Sequence, residues 1–145
     1  MAKKALRWND GELIDWFSLV PIIVRIVGPQ ILNTISHRYL HETPEKEREK
    51  QKQLLRHLSD EITKLVLETK EKRELVEKIH ELAKKLNSQI YQQSLRPDVA
   101  NVVMKSLKHA RKQKKKNMLA TLRQLRTLLN TWIHDLKFTG TPPRI

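Results

Sequence analysis

The chain has 145 residues, carries 29 Lys and Arg against 16 Asp and Glu for a net charge of +13, and contains no cysteine. That length accommodates one domain, or one extended helical unit, with a modest core, and the missing cysteines exclude disulfides, thiol catalysis and cysteine-based zinc sites. With only 3 glycines and 31% charged residues, a β-sandwich or a glycine-rich phosphate loop is disfavoured, so the expectation is an all-α protein with a polyanionic partner.

The start, Met1-Ala2-Lys3-Lys4, is basic, but Asp10, Glu12 and Asp15 interrupt the place where a secretory leader has its apolar core. Residues 1–42 read as an apolar arm of short helices, broken around Pro21 and at Gly28-Pro29 and resumed through Ile31, Ile35 and Tyr39. A membrane span needs about 20 predominantly apolar residues, and the stretch from Leu13 to Leu32 reaches that length only by burying Asp15 and Arg25. The apolar cluster Trp16, Phe17, Ile22, Ile23 and Val24 is therefore expected to pack against a neighbouring subunit, with an in-plane membrane contact as the alternative.

Residues 43–145 read as a long helix-turn-helix hairpin. Thr43-Pro44-Glu45 supplies a possible N-cap, a proline at the first helical position and an acid near the positive helix end. A long helix should run from there to about Gln93. It carries one apolar stripe of Leu55, Leu58, Ile62 and Leu65 and another of Val76, Ile79, Leu82, Leu86 and Ile90. Glu68/Lys72, Glu74/Lys78 and Glu81/Lys85 are i, i+4 pairs in the favourable orientation. The polar heptad Glu68–Glu74 holds no Gly or Pro, so helix is expected to continue through it. Ser94 to Asp98 is the turn, because Pro97 disfavours helix in the residue before it. A second long helix then extends to about Lys137, where Gly140, Pro142 and Pro143 follow as a stop.

Charge is concentrated in this last stretch. Residues 99–145 hold eleven basic residues against Asp135 alone, whereas residues 42–96 hold thirteen against eleven. On a wheel of 100° per residue, Lys105, Lys108, Lys112, Lys115, Lys116, Arg123 and Arg126 share one arc, with Arg111 flanking it and Lys114 falling on the apolar side. Val103, Leu107, Ala110, Met118, Leu125, Leu128, Leu129, Trp132 and Leu136 occupy the opposite side. A continuous helix would spread these cations over about 32 Å.

Such a ribbon suits the backbone of a duplex, where each neutralised phosphate releases condensed counterions. Base-edge chemistry is confined to the arginines and stacking aromatics are scarce nearby, so binding without sequence reading is expected. The residues do not choose between DNA and RNA. An anionic membrane or an acidic protein is the competing partner. Charge reversal at Lys108, Lys112 and Lys115 should weaken binding strongly, and the same change at Lys70, Lys72 and Arg73 should matter less, because acidic neighbours offset those cations.

Other patterns carry less. Met118, Leu122, Leu125, Leu129, Trp132 and Leu136 alternate in steps of four and three behind a basic block, as in a leucine zipper, but the seam lasts only two to three heptads. His37 and His41 lie one helical turn apart without a third ligand in view, so no metal or other cofactor is expected. The carboxylates between Glu42 and Glu81 suit helix pairing, no serine stands in a nucleophile-elbow context, and no enzymatic activity is expected. Trp8, Trp16 and Trp132 read as packing anchors.

An arm before Thr43, a turn at Arg96-Pro97-Asp98 and a basic helix over 99–137 together resemble the coat proteins of filamentous archaeal viruses. That resemblance implies a helix-turn-helix that wraps double-stranded DNA, paired or repeated coat subunits in a filament, and a virion location. It is architectural and rests on no diagnostic motif. The alternatives are a dimeric accessory protein that binds duplex RNA or DNA in the host cytoplasm or nucleoid, and a peripheral membrane scaffold that uses Trp16, Phe17 and Ile22-Ile23-Val24.

Overall fold

A computed structural model describes residues 15–137 of the chain, and every regular element among them is helical. The basic start, Trp8 and the Gly140–Pro143 stop lie outside the described residues. The elements are α1 (Trp16–Leu19), α2 (Pro21–Val27), α3 (Pro29–His37) continued by a π-helical turn (Arg38–Glu42), α4 (Glu45–Glu68), α5 (Lys72–Leu86), α6 (Gln89–Ser94), α7 (Pro97–Arg111) and α8 (Lys115–Lys137).

Prolines begin three of these helices. Pro21, Pro29 and Pro97 each sit in the first turn, where a missing N–H costs nothing and the ring already sets φ for helix. Gly28 joins α2 to α3 at φ 87°, a left-handed conformation that a side chain would strain. At the start of α4 the expected cap does not form. Thr43 donates its hydroxyl to the Arg38 carbonyl at 2.8 Å, Pro44 becomes the extended flanking residue, and Glu45 and Glu47 supply the acidic first turn.

Neither long helix of the expected hairpin is continuous. The first breaks at Thr69–Glu71 and again at Asn87-Ser88, and the second breaks at Lys112–Lys114. The two principal breaks share a cause. Between Leu67 and Leu75, and between Ala110 and Met118, no apolar side chain is present. Helices in proteins persist chiefly by burying an apolar face, and these stretches have none to bury. Reversing direction there lets each following helix return its stripe to the core. The break also separates Glu68 from Lys72. Glu74–Lys78 forms at 3.6 Å, while Lys85 reaches across to Glu61 on α4 at 3.4 Å.

The result is an up-down-up-down bundle of α4, α5, α7 and α8. Helices α4 and α8 run antiparallel along their lengths. Arg48 Nη1 donates to the Leu136 carbonyl (2.8 Å) at one end, Ser59 Oγ to Asn130 Oδ1 (3.1 Å) midway, and Lys115 Nζ to the Lys70 carbonyl at the other end. Helix α7 folds back along α8, and α5 packs on α7. The α4–α5 and α7–α8 connections therefore share one end of the bundle, which we call the connection end. The link through α6 lies at the opposite end.

The stripes read from sequence form the centre. Leu55, Leu58, Ile62, Ile79, Leu107, Leu125, Leu128, Leu129 and Trp132 are fully buried. Leu75 is also fully buried, and it takes the inward place expected of Val76, which is only partly buried. The side of the basic helix opposite its cations thus faces this chain's own core and is not a surface between copies.

The arm folds onto the bundle as well. Helix α2 packs against both α7 and α8, and the Ile22 N–H donates to Gln124 Oε1 at 2.8 Å. Trp16 and Ile23 are fully buried and Val24 is nearly so, which corrects the expectation that these residues pack against another subunit or a membrane. The reason is that breaking the long helices brings α7 and α8 side by side and creates a seam that the arm can cover. Ile22 is half-buried, and only Phe17, at 59% exposure, stands outward from that cluster. Among the described residues no helix is long and apolar enough to cross a membrane.

Polar contacts lock the far end. Trp132 Nε1 donates to Ser36 Oγ at 3.0 Å, and its ring meets Tyr39 edge-on with centroids 6.3 Å apart. Tyr39 OH donates to Gln51 Oε1 at 2.9 Å, and Gln51 Nε2 donates to the Ser94 carbonyl at 2.6 Å. Burial pushes the Tyr39 hydroxyl far above the usual phenol range, which keeps it a donor.

Candidate nucleic-acid interface

The eight cations selected from the sequence are divided between two helices. Lys105 and Lys108 are exposed on α7, with Arg111 half-buried at its last residue. Lys112 is exposed in the turn, Lys115, Lys116 and Arg123 are exposed on α8, and Arg126 is half-buried. The turn at Lys112–Lys114 overturns the expected continuous rod. Because α7 and α8 fold back on each other, all eight lie within about 17 Å of the turn along the helix axes, instead of extending over 32 Å.

That folding concentrates the charge. At physiological ionic strength the Debye length is about 8 Å, so charges clustered at the turn act together while more distant ones are screened. Lys108, Arg111, Lys112, Lys114, Lys115 and Lys116 supply six cations over residues 108–116, with no carboxylate in that stretch. Along their helices Lys105 lies about 5 Å from this cluster, Arg123 about 10 Å and Arg126 about 15 Å. The end of the bundle carries the field, and Arg126 contributes least to it.

Sequence periodicity missed Lys114. A wheel drawn through an unbroken helix put it on the apolar side, whereas it stands exposed in the turn between two helices. The lack of any apolar residue between Ala110 and Met118 was the available signal.

Among the described residues, the ion pairs engage Arg38, Lys52, Lys78, Lys85, Arg96 and two histidines, and none of the eight cations. Arg38 and Arg96 converge on Asp98 at the opposite end of α7, with Arg96 Nε and Nη2 donating to its carboxylate at 3.1 and 2.9 Å. The eight selected cations near the connection end therefore form no ion pair among the described residues, whereas Arg38 and Arg96 at the far end share the Asp98 carboxylate.

The first turn of α8 is unfavourable on its own terms. The Lys114 carbonyl accepts the first helical hydrogen bond, from Met118 N–H at 2.8 Å, and Lys115 and Lys116 follow with no acid in that turn. Lysines here face the positive end of the helix dipole, and lysine is a poor residue at the flanking position. Lys114→Asp, which adds a cap and removes the repulsion, is expected to raise unfolding free energy by about 1 kcal/mol in urea titrations. The same substitution should weaken duplex binding. A variant less stable than the parent would show that the turn is not strained by its charge.

At the candidate histidine pair, His37 and His41 place their ring centroids 4.9 Å apart and His37 Nε2 lies 3.4 Å from Glu42 Oε2. Among the described residues no group of three or more His, Cys, Asp or Glu is placed to hold a metal ion.

No protein-family model, curated protein or solved structure matches the chain.

Proposed function

We propose that the protein binds double-stranded nucleic acid through its phosphates, without reading sequence, and that many copies coat the duplex as subunits of a nucleoprotein filament. The observation that carries the reading is the run of six cations over residues 108–116, free of carboxylates and of ion pairs among the described residues, at one end of the bundle, where residues 42–96 by contrast nearly balance thirteen cations with eleven carboxylates. Polyphosphate is the partner that such a cluster suits, since its closely spaced charges repay each lysine with a released counterion. The poverty of base-reading and stacking groups there favours backbone contact over sequence recognition.

Copies meet, in this reading, through what the arm leaves outside. Phe17, Leu19 and Ile31 remain 59%, 41% and 40% exposed and are the large apolar side chains of the arm that such a contact would use. The resemblance to coat proteins of filamentous archaeal viruses makes DNA the favoured duplex and the virion the favoured location.

Titration of a labelled DNA duplex at several salt concentrations tests the binding. Six phosphate contacts correspond to a slope of log affinity against log salt of about −5. A slope near zero, or no binding at low salt, overturns the proposal. Electron microscopy of protein mixed with long duplex tests the coating. Regular filaments are expected, and dispersed dimers on bare duplex would favour an accessory binding protein instead.

A further inference from the structure

We infer that the α4–α5 connection belongs to the same phosphate-binding end as the α7–α8 turn, so that Lys70, Lys72 and Arg73 contact the duplex and Glu68 and Glu71 oppose it. The inference rests on the reading of the connection end as a nucleic-acid interface and extends it to residues more than thirty positions away in the chain. Nothing in the local sequence selects them, because Glu68, Glu71 and Glu74 balance the three cations in number.

The structure changes that balance by placement. Lys115, in the first turn of α8, donates its ammonium group to the backbone carbonyl of Lys70, so the two connections lie side by side. Lys70, Lys72 and Arg73 are all exposed there. Glu74 is engaged along its own helix by Lys78 at 3.6 Å, which leaves Glu68 and Glu71 as the nearby carboxylates without an ion pair among the described residues. Within one Debye length of Lys115, a charge on this connection acts on the same phosphates as the turn does. Antiparallel packing of α4 on α8 puts Lys46 and Lys50 at the far end, about 30 Å or more along α4 from Lys70, where they serve as a control.

The test uses the full-length chain and a DNA duplex of about two helical turns, with affinity read across salt concentrations. Replacing Lys70, Lys72 and Arg73 together with glutamine should lower affinity on the order of tenfold or more near 0.15 M salt and reduce the salt slope by about 2 to 3. The double variant Glu68→Gln/Glu71→Gln should bind several-fold more tightly, a gain that misfolding does not produce. Lys46→Gln/Lys50→Gln should bind within about twofold of the parent.

If the triple and the double variants both behave like the control while substitutions at Lys108, Lys112 and Lys116 abolish binding, the connection is not part of the interface, although the interface itself stands. If the variants at Lys108, Lys112 and Lys116 also bind normally, the reading of the whole end fails with it.

Discussion

Replacing Lys108, Lys112 and Lys116 together with glutamate is expected to lower affinity for duplex DNA by at least about 100-fold near 0.15 M salt and to flatten the salt slope by about 3. The three side chains are exposed and none forms an internal ion pair among the described residues, so the fold should survive the change. Lys115 is left in place because its ammonium group holds the Lys70 carbonyl. Two physical effects add. Each lost cation removes one counterion-releasing contact, and each new carboxylate repels the phosphates that remain nearby. Glutamate at 116 relieves repulsion in the first turn of α8, whereas glutamate at 108 and 112 meets the negative C-terminal end of α7, so these dipole effects oppose one another and the melting temperature of the free protein should change little. Weakened binding with preserved melting identifies these residues as interface. Unchanged binding would move the interface elsewhere on the molecule.

The largest expected effect on stability is at the other end of the bundle. Trp132 is fully buried, donates to Ser36 at 3.0 Å and meets Tyr39 edge-on. Trp132→Ala should cost about 3–5 kcal/mol through lost burial and the cavity left behind, with a further contribution from the stranded Ser36 hydroxyl. For a chain of this size that corresponds to a fall in Tm on the order of 10 °C, readable by far-UV circular dichroism. Trp132→Phe, which keeps most of the ring volume but loses the donor, should fall between the two. A loss below about 1 kcal/mol for the alanine variant would mean that the π-helical turn and α3 do not pack on α8 as described. Duplex binding measured well below the variant's Tm should be little changed, because Trp132 lies about 24 Å along α8 from Lys116.

The two substitutions separate parts of the protein that differ in how they could be read. The all-α class was legible because helix formers dominate, glycine is scarce and the apolar residues of α4, α7 and α8 recur at helical spacing. Leu55, Leu58, Ile62, Leu107, Leu125 and Trp132 all face the core as that spacing requires. The imbalance of charge toward the last third was equally plain, since counting residues needs no structure. The start of α7 at Pro97 was legible too, because proline dictates backbone geometry to itself and its predecessor.

The breaks at Thr69–Glu71 and Lys112–Lys114 were not. Neither contains Gly or Pro, and a polar heptad is compatible locally with helix or turn. What decides is whether the helix that follows finds an apolar face to return to, and that face belongs to a distant part of the chain. The fate of the arm had the same origin. Trp16, Ile23 and Val24 looked like a surface for a partner because their covering, the seam of α7 and α8, exists only after the basic helix has folded back on itself.

Composition and periodicity by themselves determined that this protein is a basic helical one with its charge near the C-terminal end, because those properties are carried by residue type and local spacing. Only the tertiary structure decided that the charge gathers at one end of a four-helix bundle, that Lys70 lies beside Lys115, and that the arm is core. Those outcomes depend on which apolar faces meet across the chain, and long-range burial settles a local choice that the polar connections leave open.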